Sequence, residues 1–151
     1  MPRIELTIPE DVLTFTTWMT VLSTDVNIAR HLGNEALIAM VSEVRFRFWH
    51  QAGLIDLASG RTNLIVTDLA VVYRAEGRLW DVLRFDVGFD DPNRYGGDIV
   101  FRITRQSDDA VIALVKSGFV FFDYETARVA PMPDSVAHAL SQPATWPDPT
   151  A

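Results

Sequence analysis

Five polar side chains occur within eleven positions in the first third of the chain: Asp25, Asn27, His31, Asn34 and Glu35. A carboxylate can act as a nucleophile or as a base that activates water, and an imidazole can donate a hydrogen bond to a substrate carbonyl. The same residue types also build turns and cap helices. The cluster is therefore either the entrance to an active site or a loop that ends in a helix cap.

The cluster leads directly into residues 34–53, which follow the pattern of an α-helix. Asn34 is a plausible N-cap, and Glu35 complements the positive end of the helix dipole. Most of the helix surface is apolar, and the main polar strip carries Glu43 and Arg47 as an i,i+4 pair. We therefore expect a largely buried helix that other elements wrap around.

Apolar segments on either side of this helix predict five β-strands, one before it and four after it. The links AEGR, DPNRYG and QSDD between the later strands are short and rich in turn formers, so they favour hairpins. One antiparallel sheet curled around one helix satisfies this order and gives an α+β fold. Open sheet edges favour a dimer whose sheets join. The strands are predicted at 14–22, 64–75, 79–91, 97–105 and 110–124.

Composition and length exclude several classes of protein. The 151 residues suit one domain, which we assign to 1–130, with a short helix and a loose tail in 131–151. The net charge of −7 argues against a nucleic-acid surface. The absence of cysteine and the spacing of the three histidines argue against a metal site. No apolar run reaches membrane-spanning length and no signal-peptide core is present, so we expect a cytoplasmic protein without membrane contact.

The order of elements and the segment HLGNEALIAMVSEVRFRFW resemble the hotdog-fold acyl-CoA thioesterases of the 4-hydroxybenzoyl-CoA thioesterase type. That family's pattern, Asp-x-Asp-x-x-Gly-His-x-x-Asn, is followed about ten residues on by Glu-x-Arg. It corresponds here to Asp25-Val26-Asn27, then Arg30-His31-Leu32-Gly33-Asn34, and then Glu43-Val44-Arg45. The resemblance covers roughly residues 14–125. Two positions depart from the pattern, because the second Asp is Asn27 and the Gly before His is Arg30.

The resemblance implies a hotdog fold, a homodimer or homotetramer, and an acyl-CoA or acyl-carrier thioester bound between two subunits. Coenzyme A is then part of the substrate, and no separate cofactor or metal is expected. A backbone N–H at the start of the helix polarises the thioester carbonyl in the family, and the matching position is Asn34. The candidate catalytic residues are Asn27, Asp25, Glu43 and His31, and the candidate substrate-binding residues are Gly33, Asn34 and Asp68.

Each candidate also has a structural interpretation. Asp25 can anchor the loop, His31 can brace it, and Glu43 can simply pair with Arg47. Asp68 lies inside an apolar strand, where a buried carboxylate would need a partner, in the same chain or across a dimer interface.

Three functions stay open. The first is an acyl-CoA thioesterase, and the second is a non-catalytic hotdog protein that binds an acyl thioester, which the amide at Asn27 favours. The third is a hotdog enoyl-CoA hydratase, whose signature Gly-Asp-x-Asn-Pro-x-His is echoed by Asp25, Asn27 and His31. The match to that signature is incomplete, since Asp25 and His31 are six positions apart instead of five and the Gly and Pro are missing.

Overall fold

The computed structural model describes residues 3–55 and 60–146, in which a long helix packs against a curled, largely antiparallel sheet. The predicted α+β arrangement of one helix and one sheet is therefore confirmed. None of the helices in these two ranges has the length and apolarity that crossing a membrane requires. The elements are β1 (Leu13–Thr20), α1 (Asn34–Gln51), β2 (Thr62–Tyr73), β3 (Val82–Asp90), β4 (Gly96–Arg105), β5 (Val111–Asp123), β6 (Arg128–Ala130), α2 (Asp134–Leu140) and β7 (Ala144–Thr145).

The strands form one sheet in the order β2–β5–β4–β3–β1–β7, and β6 pairs with the end of β5. The prediction that the link AEGR closes a hairpin is wrong, because β2 pairs with β5 while β3 lies between β4 and β1. Instead this link contacts the segment before α1, where the Leu32 N–H donates to the Gly77 carbonyl at 2.7 Å. Turn-forming residues predict that the chain bends, but they do not determine which strands then pair.

Helix α1 packs against the curled sheet as predicted, and its buried residues lie on the side that faces the sheet. On its core side, Phe48 packs against Phe15 at 5.5 Å and Trp49 packs against Phe119 at 5.4 Å between ring centroids. Phe46 is 62% exposed, because the sheet of a single chain does not reach the opposite side of the helix. The buried residues of α1 are Leu37, Met40, Val41, Val44, Phe48 and Trp49.

The N-cap of α1 is one residue earlier than predicted. Gly33 is the N-cap, and its carbonyl accepts the first helical hydrogen bond from the Leu37 N–H at 3.0 Å. Asn34 is the first helical residue, so the prediction that it is the N-cap is wrong. Its side chain is exposed. Within the described residues, no side chain caps the N-terminus of this helix.

The C-terminal segment contains the predicted short helix DSVAHAL as α2. The expectation of a loose tail is wrong for Ala144–Thr145, which pairs in parallel with β1 as β7, and the Trp146 N–H donates to the Thr16 carbonyl at 3.0 Å. Trp146 also packs against the core, which explains why this part of a proline-containing tail is held. The rest of the predicted tail, 147–151, lies outside the described residues, and the assignment of 1–130 to one domain stays a prediction.

Candidate functional site

The segment before α1 folds into a tight loop that the Asn27 side chain holds together. Val26 and Leu32 form an antiparallel bridge across the loop. Between them, Asn27 Oδ1 accepts hydrogen bonds from the N–H groups of Ala29 at 3.0 Å and His31 at 3.2 Å. This is the turn-forming role of asparagine. The oxygen that would orient a water or substrate is therefore engaged by the backbone.

Asp25 braces the same loop from its N-terminal side. Its Oδ2 accepts a hydrogen bond from the Leu22 N–H at 2.8 Å. Its backbone carbonyl accepts another from the Gly33 N–H at 2.9 Å, which ties the loop to the start of α1. These two hydrogen bonds, one to the side chain and one to the backbone, support the interpretation of Asp25 as a loop anchor.

Arg30 has a left-handed backbone conformation, with a φ of +61°. This is the position at which the hotdog thioesterase pattern has glycine, the residue that adopts such a conformation without steric cost. A non-glycine residue therefore adopts here a conformation that favours glycine. The Arg30 carbonyl accepts a long hydrogen bond of 3.3 Å from the Leu79 N–H.

His31 connects the loop to the link between β2 and β3. Its Nε2 lies 3.2 Å from Glu76 Oε2, and its side chain is 36% exposed. His31 also forms a backbone bridge with Arg78. No feature of the sequence pointed to Glu76, because its link was predicted to form a hairpin.

The start of α1 brings together free N–H groups and a carboxylate. The first N–H groups of a helix have no intrahelical acceptor, and here no side chain of the described residues supplies one as a cap. The Glu35 carboxylate lies against Gly33, so closely that a Cβ on Gly33 would be 2.6 Å from Glu35 Oε1. Burial, and then the charge of Glu35, raise the pKa of Tyr73 at the end of β2. The sequence placed Glu35 in the polar cluster but assigned it only to the helix dipole, and Tyr73 was not a candidate.

A cavity of about 310 Å³ lies beside this helix start, and we call it the entrance cavity. Its wall combines the apolar side chains of Leu37 and Ile112 with the polar groups of Tyr73 and the His31–Glu76 pair. It could hold the reacting end of a substrate, because small-molecule sites are apolar cavities with a few polar groups. It is lined by His31, Leu32, Leu37, Tyr73, Arg74, Ala75, Glu76, Gly77 and Ile112.

A second opening of about 310 Å³ shares His31 with the entrance cavity, and we call it the arginine cleft. It combines Arg30 and Arg78 with Trp80, whose side chain is 63% exposed. Arginine recognises phosphate, and an exposed aromatic ring can stack on a planar base. The cleft is lined by Ala29, Arg30, His31, Arg78, Leu79 and Trp80.

Glu43 lies away from the helix start. It is nine residues from Asn34, which corresponds to about 13 Å along the helix. Its carboxylate accepts a hydrogen bond from Arg47 Nε at 2.9 Å. Arg47 in turn donates to Thr17 Oγ1 at 2.8 Å and to the Trp18 carbonyl at 3.1 Å. The pair therefore faces β1, and within one chain the structure does not bring Glu43 to the entrance cavity.

Asp68 is exposed in this chain, so the expectation of a buried carboxylate is wrong. It lies at a bulge, where the pairing of β2 with β5 shifts register between Val66 and Asp68. Its Oδ2 accepts a hydrogen bond from Thr67 Oγ1 at 3.0 Å, and its carboxylate packs on the face of Gly118. Asp68 thus lies in the middle of an edge strand, away from the entrance loop.

Of the residues singled out in the sequence, the structure brings Asp25, Asn27, His31, Gly33 and Asn34 into the entrance loop and helix start. The other two candidates, Glu43 and Asp68, lie outside this loop and helix start. Within residues 3–55 and 60–146, no group of three His, Asp or Glu side chains could hold a metal ion.

Comparison with known proteins identifies the family. The family model of the thioesterase-like superfamily matches residues 21–140, so the chain belongs to this superfamily, and this membership supports a thioester hydrolase activity. No curated protein matches the sequence significantly.

Solved structures share the fold. A 1,4-dihydroxy-2-naphthoyl-CoA thioesterase from Synechocystis superposes with a TM-score of 0.77 at 16% identity, covering 84% of this chain and 95% of that one. A protein from Staphylococcus aureus, solved in complex with CoA, has a TM-score of 0.77 at 19% identity, covering 93% and 94%. The hotdog fold inferred from the sequence is thereby confirmed.

Proposed function

We propose that this protein is an acyl-CoA thioesterase whose reaction takes place at the start of α1. The observation that carries the proposal is the uncapped helix N-terminus beside the entrance cavity. Free N–H groups there can bind the oxygen of a thioester carbonyl and stabilise the negative charge that develops on it. Membership of the thioesterase-like superfamily supports the same chemistry.

The base in this proposal is Glu35. Asp25 and Asn27 use their side-chain oxygens to hold the loop, and Glu43 is paired with Arg47 on the β1 side. The Glu35 carboxylate instead lies against Gly33, the N-cap of the helix. It takes a proton from water, and the resulting hydroxide adds to the carbonyl carbon. The carbon–sulfur bond then breaks, and the proton on Glu35 passes to the departing sulfur, so the acid and the thiol are released and the carboxylate is restored.

The site is completed by a second subunit. β2 is an edge strand with three exposed apolar side chains, Val66, Leu69 and Tyr73, and such an edge associates readily with another strand. If two copies pair β2 antiparallel about its middle, the start of one β2 lies beside the end of the other. The partner's α1–β2 side then faces the entrance cavity. We propose a homodimer, and the homotetramer stays a prediction.

Coenzyme A is the proposed carrier, with no further cofactor. The arginine cleft adjoins the entrance cavity and offers Arg30 and Arg78 for phosphates and Trp80 for the adenine ring. On this basis, Arg78→Ala raises KM for an acyl-CoA but not for the matching N-acetylcysteamine thioester, which has no nucleotide. Equal effects on both substrates would contradict nucleotide binding in this cleft. The cytoplasmic location also stays a prediction.

A non-catalytic protein that binds acyl thioesters is the second candidate, since Asp25 and Asn27 have structural partners. The hydratase is weaker still, because Asp25 binds the Leu22 N–H while His31 pairs with Glu76. A panel of acyl-CoA substrates assayed for thiol release distinguishes these functions. We expect release by wild type, loss in Glu35→Gln, and little change in Asn27→Asp. Hydration of an enoyl-CoA without thiol release would favour the hydratase, and binding without either reaction would favour the non-catalytic protein.

A further inference from the structure

A third cavity, of about 340 Å³, lies between the second half of α1 and the start of β2, and we call it the α1–β2 cavity. Its wall is largely apolar and aromatic, and its size is at the lower end of those that hold small ligands. It is separate from the entrance cavity of the same chain, with which it shares no lining residue. It is lined by Ser42, Arg45, Phe46, Trp49, Leu54, Ile55, Asn63, Leu64 and Phe121.

Arg45 places a cation in this wall. Its guanidinium donates hydrogen bonds to two neutral hydroxyls, Ser117 Oγ at 3.2 Å and Ser42 Oγ at 3.5 Å. Ser117 is buried. No carboxylate in the described part of the chain forms an ion pair with Arg45, and burial lowers the pKa of its guanidinium. A partly buried charge without a counter-ion is energetically costly.

In the described part of the chain, several other arginines have a carboxylate partner, which Arg45 lacks there. Arg47 pairs with Glu43, and Arg61 pairs with Asp123. Three more arginines also have carboxylate partners: Arg84, Arg102 and Arg105. Arg45 is therefore unusual in combining partial burial, neutral partners and a place in the wall of a cavity.

The rest of the wall suits a compact apolar body. Trp49 is 5% exposed and packs edge-on against Phe119, and Leu64 and Phe121 close the sheet side. Phe46 lies at the same cavity with most of its surface exposed. A ligand with an apolar body and one anionic group would bury the aromatic surface and neutralise Arg45 at the same time.

We propose that the α1–β2 cavity binds an apolar carboxylate, with its carboxylate on Arg45. This inference deepens the proposed function, on which its catalytic part rests, by naming the acyl class. In the proposed dimer this cavity lies beside the partner's helix start. The far end of an acyl chain held at that helix start then enters the cavity, so acyl groups with a terminal carboxylate are preferred.

Binding tests the cavity without requiring hydrolysis. Hexanoate and hexanamide have the same chain and differ in charge, so we expect the wild-type protein to bind hexanoate about tenfold more tightly or better. Arg45→Met removes this difference and keeps hexanamide binding, which also shows that the cavity is intact. Arg128→Met removes an exposed arginine on β6 and serves as the matched control, with the preference unchanged. Equal binding of the two ligands by wild type, or an unchanged preference in Arg45→Met, would overturn the proposal.

A kinetic comparison tests the acyl class. Adipyl-CoA and hexanoyl-CoA have acyl chains of the same length, and only adipyl carries a terminal carboxylate. We expect kcat/KM to favour adipyl-CoA about tenfold in wild type and to lose this preference in Arg45→Met. Absence of turnover on both substrates, with the hexanoate preference intact, would reject the thioesterase while leaving the cavity's ligand class standing. Turnover with no adipyl preference would reject the acyl class. If a second copy of the chain fills the cavity, neither hexanoate nor hexanamide binds the dimer, which also overturns the proposal.

Discussion

Replacing Gly33 by alanine tests the placement of the Glu35 carboxylate. An added Cβ would lie 2.6 Å from Oε1 and 3.0 Å from Cδ of Glu35. The carboxylate must then move by roughly 0.8 Å to reach an ordinary van der Waals contact. The backbone itself can accept alanine, because Gly33 has a φ of −67° and a ψ of 147°. The substitution should therefore displace one functional group with little damage to the fold.

The expected effects differ in size. Loss of glycine at the N-cap costs about 1 kcal/mol of unfolding free energy or less. A displacement of this size in a reacting group can lower kcat by up to about 100-fold. Thiol release from a good acyl-CoA substrate measures the second effect, and urea denaturation measures the first.

A double-mutant cycle provides the control. If Gly33→Ala acts by moving Glu35, it should have almost no further effect on kcat in a Glu35→Ala background. Full additivity of the two substitutions would show that Gly33→Ala does not act through Glu35. So would an unchanged kcat in the single variant Gly33→Ala.

Four other predictions follow from the loop, the sheet edge and one surface ion pair. Asn27→Ala lowers the free energy of unfolding by roughly 1–2 kcal/mol, because two backbone N–H groups lose their acceptor. Asn27→Asp keeps both this free energy and kcat. A large gain in kcat in Asn27→Asp would contradict the turn role of Asn27. Arg30→Gly raises the same free energy by roughly 0.5 kcal/mol in urea denaturation, as relief of the left-handed backbone outweighs the added chain entropy, and a loss of stability would contradict this. Leu69→Lys yields a folded monomer in size-exclusion chromatography, whereas an unchanged dimer would argue against pairing through β2. A hydrogen bond from Arg61 lowers the pKa of Asp123 from 3.8 to about 2. The stability that this ion pair contributes is therefore complete above pH 3.8 and is lost as the pH falls towards 2. Asp123→Asn should flatten the profile of unfolding free energy against pH in that window, and an unchanged profile would contradict the role of this pair.

The sequence predicted the elements of the fold well, because their signals are local. The apolar alternation of residues 97–105 and the helical pattern that begins at Asn34 each depend only on nearby residues. The pairing of β2 with β5 is a contact between distant segments, and no local pattern encodes it. The same limit explains the exposed Phe46, because its apolar character predicts burial without saying whether the covering surface belongs to the same chain.

The sequence predicted the helix start that carries the proposed site, but it did not predict the contacts around that start. The sequence placed the free N–H groups near Asn34, and the structure has the helix begin there. The sequence could not show that side-chain oxygens of Asn27 and Asp25 accept hydrogen bonds from backbone N–H groups, because these bonds depend on the shape of the loop. Nor could it place Tyr73 and Glu76 beside that loop, because the β2–β3 link reaches the site only through the unexpected strand order.

In the proposed reaction, water attacks a thioester at the start of α1, with Glu35 as the base. The most direct test measures kcat for an acyl-CoA in wild type and Glu35→Gln, together with the Kd of a non-hydrolysable thioether analogue for both proteins. If Glu35 is the base, we expect kcat to fall by about 100-fold or more, while Kd changes less than about threefold. A variant that retains wild-type kcat, or a wild-type protein that binds the analogue but releases no thiol from any acyl-CoA, would contradict it.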